Sequence, residues 1–152
     1  MNRFQSLLHE HHTPLTRGTF HTLQINVGRK CNQACRHCHV DAAPWRTEMM
    51  DGVTAHRVGN WILEHRPPVV DITGGAPEIS EHFRYFVETA KAAGSHVIDR
   101  NNLTIIETKA HAYLPEFLAR NGSRSSPRCP VIWKRMSMPS EGVTFSKRAS
   151  PP

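Results

Sequence analysis

Five consecutive residues, Val69-Val70-Asp71-Ile72-Thr73, constrain this chain more than any other stretch. All but Asp71 are β-branched and the run is mostly apolar, the pattern of a strand buried on both faces. Such strands belong to parallel sheets covered by helices, and Gly74-Gly75 ends the run where a strand turns toward its helix. The neighbouring segments agree. Leu23, Ile25 and Val27 alternate with polar residues over 22–27, predicting a first short strand that Gly28 closes. His96 to Asp99 predicts a third strand, ending in the polar Arg100-Asn101-Asn102.

Helical patterns fall between these strands. Asp51 is an N-cap for a helix in which Val53, Val58, Trp61 and Ile62 roughly share a face, and Pro67-Pro68 stop it. Ser80 caps a second helix carrying Phe83, Phe86, Val87, Ala90 and Ala93 at i, i+3, i+4, i+7 spacing, with Gly94 at its C′ position. A shorter one runs from Leu114, with Pro115 at its first position, Phe117 and Leu118 on one face, and Gly122 as the stop. Strand and helix in alternation define βαβ units, so the predicted fold class is α/β with parallel strands.

The pattern breaks after Gly122. A βα unit takes roughly 30 residues, so three units and part of a fourth fit before that point. An apolar strand is due there, and Ser123-Arg124-Ser125-Ser126-Pro127-Arg128 stands in its place. Ser and Pro supply 12 of the last 30 residues, and 6 of the 19 basic residues lie there against Glu141 alone. Of the net charge of +6, the tail therefore carries +5. The division expected is an N-terminal extension over 1–20, a core over 21–122 and a divergent, disordered tail over 123–152. A reading-frame shift near codon 122, leaving a fragment of a longer protein with an exposed, aggregation-prone sheet edge, is favoured over a genuine disordered extension.

Several function classes are excluded at this level. The tail has no basic run of five and only the isolated Trp133 for stacking, so no nucleic-acid partner is expected. No stretch of 18 apolar residues exists and the first twenty residues lack an apolar signal core, so the expectation is a cytoplasmic protein with no membrane partner. Four cysteines in a reducing compartment point to metal or catalysis rather than disulfides.

Three of the four sit together after the first strand, in Cys31-Asn32-Gln33-Ala34-Cys35-Arg36-His37-Cys38-His39. Three thiolates within eight residues can ligate three irons of a [4Fe–4S] cluster and leave the fourth iron open. Two other readings stand beside this one: a structural zinc held with His39 or His37, and unligated thiols.

The triad at these spacings resembles the signature of the radical SAM superfamily, on the loop after the first strand of a partial TIM-type barrel. The stretches LQINVGRKCNQACRHCHVDAAPWRTEMM, DITGGAPE and VIDRNNLTI further resemble the arsenosugar biosynthesis radical SAM subgroup. The likeness covers about 100 of the 152 residues. It implies an incomplete radical SAM barrel in which Cys31, Cys35 and Cys38 bind the cluster and S-adenosylmethionine chelates the open iron. Reductive cleavage would then yield a 5′-deoxyadenosyl radical.

By the same resemblance His37 lies near the adenine, and Gly74, Gly75 and Ala76 hold the methionine amino group. Arg100 and Asn101, at the end of the third strand, meet the cofactor's carboxylate or ribose. Ala76-Pro77 intervene before Glu78 where the family has Gly-Gly-Glu, which leaves Glu78 without a direct role. The implied partners are a small-molecule substrate, a methylated trivalent arsenical, and an electron donor such as flavodoxin or ferredoxin. The alternative is a non-catalytic Fe–S or zinc module, an inactive fragment. Cys129, in the tail, corresponds to no family cysteine.

Overall fold

The computed structural model describes residues 2–125. Its strands are β1 (Thr22–Asn26), β2 (Val69–Thr73), β3 (His96–Asp99) and β4 (Arg124–Ser125). The helices are α1 (Arg3–Glu10), α2 (Gly52–His65), α3 (Phe83–Ala92) and α4 (Leu114–Arg120). The four strands form one parallel sheet in the order β1-β2-β3-β4, an α/β architecture. Each new strand joins the same edge, and right-handed crossovers in one direction place successive helices on one face.

Register shows which face that is. Ile25 lies beside Ile72, and Val70 beside both Leu23 and Val97. These side chains share a face, and they join Val27, Ile62, Phe83, Phe86, Val87 and Ala90 in a single buried core. The opposite parity carries the polar register partners Gln24 and Asp71 and also Thr73, beside Val69 and Ile98, and Asp71 and Thr73 are buried. The double burial expected of β2 is therefore found, apolar toward the helices and through Asp71 and Thr73 on the other side.

Helix termini follow their capping chemistry. The Thr54 amide donates to the Asp51 carboxylate at 2.8 Å, starting α2, and Arg66 closes the helix in the left-handed conformation at φ 45°. In α2 the buried stripe is Ala55, Gly59 and Ile62. Val53, expected on that face, is 66% exposed because the helix turns it away from α3. Gly59 is needed for close packing: a methyl group there would lie 2.0 Å from the Tyr85 hydroxyl. Ser80 acts one turn earlier than expected, its hydroxyl accepting from the His82 amide at 3.3 Å, so α3 itself begins at Phe83. In α4 Leu114 is the first helical residue and Pro115 the second.

One element was not anticipated and one further expectation is corrected. The 1–20 extension contains α1, started by a reciprocal capping box in which the Gln5 amide donates to the Asn2 side chain at 2.9 Å and the Asn2 amide donates to Gln5 Oε1 at 3.1 Å. None of its residues is buried. Beyond Gly122, where no strand was expected, Arg124 and Ser125 pair in parallel with Ile98 and Asp99. Backbone pairing needs no apolar side chain, which is why hydropathy missed β4. The rest of the expected disordered tail, 126–152, lies outside the described residues. Among the described residues no helix is long and apolar enough to cross a membrane.

Candidate metal and cofactor site

The cysteine loop leaves β1 and is tied down from both sides. The Cys31 amide donates to the Ala43 carbonyl at 3.2 Å and the Ala43 amide to the Arg29 carbonyl at 3.2 Å, so residues 29–31 and 43 form a small ladder. Within the loop the Cys38 amide donates to the Cys35 carbonyl at 3.0 Å, a turn that brings those two cysteines together. Arg46 closes the segment from outside, donating through Nε to the Asp41 carbonyl at 2.9 Å and ion-pairing with the Asp41 carboxylate.

The loop rests on the glycine turn after β2. The Gly75 amide donates to the Gly28 carbonyl and the Ala76 amide to the Lys30 carbonyl, both at 3.0 Å. Contact is so close that a methyl group on Gly75 would lie 2.2 Å from the Lys30 carbonyl oxygen. Gly74 adopts φ 148°, a conformation that side-chain-bearing residues rarely reach. Both glycines are required by backbone-on-backbone packing.

These two segments enclose a concavity of about 90 Å³ at the carboxyl ends of the strands. Cys31, Cys35 and Cys38 all line it, with His37, His39, Gly74, Gly75 and Asn102. Cys31 is buried, and the other two are half-buried. Donors point at two of the sulfurs. The Gln33 amide reaches Cys31 Sγ at 3.4 Å, the Ala42 amide reaches Cys38 Sγ at 3.3 Å, and Asn102 Nδ2 reaches Cys31 Sγ at 3.5 Å. A sulfur that ligates a metal can accept from donors of this kind. No three His, Cys, Asp or Glu side chains among the described residues are grouped to hold a single metal ion.

The residues after β3 divide differently from expectation. Arg100 forks onto the buried Asp71 carboxylate, Nε at 2.7 and 2.9 Å and Nη2 at 2.7 Å, and Gln24 adds a bond at 3.1 Å. These hydrogen bonds and the Asp71 charge hold the guanidinium above its usual range, and Arg100 is not among the residues lining the concavity. Asn101 is buried, donating to Asp99 at 2.9 Å and accepting from the Leu103 amide at 3.1 Å. Ala76 is buried beneath the loop. Of the expected cofactor contacts, His37, Gly74 and Gly75 line the concavity, whereas Arg100, Asn101 and Ala76 are engaged within the chain. Asn102, which follows Arg100 and Asn101, lines the concavity.

One feature escaped the sequence reading. Glu78 and Asp99 are both buried, and neither Glu78 oxygen meets a donor among the described residues. Burial, reinforced by the nearby Asp99 charge, pushes Glu78 up to about 8; burial likewise raises Asp99 to about 6. The signal was weak, since the two carboxyls are 21 positions apart and only the fold brings them together.

No protein-family model and no curated protein matches the chain.

Proposed function

We propose that this chain is a radical SAM protein whose Cys31, Cys35 and Cys38 hold a [4Fe–4S] cluster in the concavity at the carboxyl end of the sheet. One observation carries the reading: three cysteine side chains share a single concavity, and amide donors are aimed at two of the sulfurs. The sequential strand order and one-sided helices suit a partial barrel, and barrels place their sites at this end of the strands. When bound, the cluster and S-adenosylmethionine supply the reductive cleavage that forms a 5′-deoxyadenosyl radical.

The chain's own residues do the rest. The three thiolates fix the cluster, and the loop ladder to Ala43 and Lys30 keeps it rigid. With the Gly75 and Ala76 amides spent on the cysteine loop, the carbonyls of the glycine turn are the groups that accept from the cofactor's ammonium. His37, which lines the concavity, would lie near the adenine. The resemblance over 23–106 implies a methylated trivalent arsenical as substrate, which would be coupled to the deoxyadenosyl group to make an arsenosugar precursor. A flavodoxin or ferredoxin delivers the electron.

The test is anaerobic reconstitution of the full chain with iron and sulfide. The expected product is brown, holds about four irons per chain, and loses them when Cys31, Cys35 or Cys38 is replaced by Ala. Adding S-adenosylmethionine should perturb the EPR spectrum of the reduced cluster. Uptake of one zinc with no cluster, or a spectrum indifferent to the cofactor, would overturn the reading.

A further inference from the structure

Asn102 is held more firmly than a loop asparagine needs to be. Its Oδ1 accepts from the Thr104 amide at 3.0 Å, the Ile105 amide at 3.2 Å and the Thr104 hydroxyl at 3.0 Å. Its Nδ2 donates to Asn32 Oδ1 at 2.7 Å and to Cys31 Sγ at 3.5 Å. Asn32 Nδ2 in turn donates to the Thr104 hydroxyl at 2.8 Å, closing a ring of side chains between the cysteine loop and the segment after β3. The next residue, Leu103, sits at φ 61°, an unfavourable conformation for a leucine. Strain beside a buried, fully engaged polar group points to a demand for that group's orientation.

The chemistry at Cys31 says what the demand is. As a thiol, Cys31 Sγ can donate to Asn32 Oδ1, which lies 3.8 Å away. As a thiolate ligand it has no proton to give, and it needs donors. Asn102 Nδ2 is the side-chain donor aimed at it, from a buried position shielded from water. Hydrogen bonds to cluster sulfurs favour the reduced, more negative state, and more so where solvent is excluded.

We infer that Asn102 is a positioning residue whose Nδ2 donates to the Cys31 sulfur and raises the reduction potential of the cluster bound there. This rests on the cluster reading above. Through Oδ1, which caps the following turn, the fold fixes the amide so that only Nδ2 faces the sulfur.

The experiment is an EPR-monitored redox titration of the reconstituted full chain, wild type against Asn102→Asp and Asn102→Ser. Both variants keep a side-chain oxygen able to cap the turn. Asp has no donor when ionised, and Ser is neutral but too short to reach the sulfur. Both should bind iron as wild type does and fall in potential, by about a tenfold change in the reduction equilibrium, which is about 59 mV for one electron. A fall in Asn102→Asp alone would mark an effect of added charge and overturn the proposal, as would unchanged potentials in both. Loss of the cluster from both variants with an unchanged circular dichroism spectrum would make Asn102 a structural clamp and also overturn it. A wild-type chain that takes up no cluster overturns the cluster reading itself, an outcome distinct from all of these.

Discussion

Replacing Gly75 with Ala tests whether the glycine turn and the cysteine loop are one packed unit. The added methyl would lie 2.2 Å from the Lys30 carbonyl oxygen, 2.7 Å from its carbon and 2.9 Å from the Arg29 carbonyl oxygen. All three are backbone atoms, so no side chain can swing aside. Real contacts of this kind begin near 3.0 Å, so the segments must part by close to 1 Å. The amide bonds from Gly75 to Gly28 and from Ala76 to Lys30, both 3.0 Å, lengthen or break with that movement.

Two backbone bonds at about 1 kcal/mol each, together with overpacking of 1–3 kcal/mol, give a loss of about 3–5 kcal/mol. Gly94→Ala is the comparison. Gly94 sits at φ 83° with nothing within 4 Å of its missing side chain, so that variant should lose only the conformational term, about 1 kcal/mol. Urea unfolding followed by circular dichroism measures both losses, and iron uptake after reconstitution should fall in Gly75→Ala alone. A Gly75→Ala protein within 1 kcal/mol of wild type, or less destabilised than Gly94→Ala, would refute the packing argument.

Other outcomes follow from the two buried charge clusters. Arg100→Met strips the guanidinium from the Asp71 carboxylate, which is 3% exposed, and should cost about 2 kcal/mol in urea unfolding, less than a fully buried pair because Arg100 is partly solvated. An unchanged midpoint would show that Asp71 is adequately solvated without it. Glu78 and Asp99 are raised in the folded state, so folding takes up protons, and stability is greatest below their ordinary carboxylate range and declines as pH rises toward about 8. Urea midpoints between pH 5 and pH 8 should fall in the wild type and fall less in Glu78→Gln; equal slopes in the two proteins would sink this assignment.

Much of the frame was legible in the sequence because it is local chemistry. Thr22 to Val27, Val69 to Thr73 and His96 to Asp99 were marked by alternation and β-branching, and the strands run over Thr22–Asn26, Val69–Thr73 and His96–Asp99. Asp51 and Gly94 act at their helix ends as capping predicts. The cysteine spacing alone marked the site. The Asn2/Gln5 capping box was equally local, and α1 was readable from it.

What tertiary structure decided depends on which groups meet across the sheet. The forked end of Arg100 suits any carboxylate, and only the register of β2 and β3 puts Asp71 within its reach. That geometry gives Arg100 an ion pair within the sheet. Asn102 has the composition of a turn cap, and it is one; its second role at Cys31 exists because the segment after β3 passes beneath the cysteine loop. Glu78 and Asp99 are ordinary carboxyls until folding removes water from both. Covalent neighbours set caps, strands and ligand spacing, whereas charge pairing and burial are set by residues distant in the chain, which no local pattern encodes.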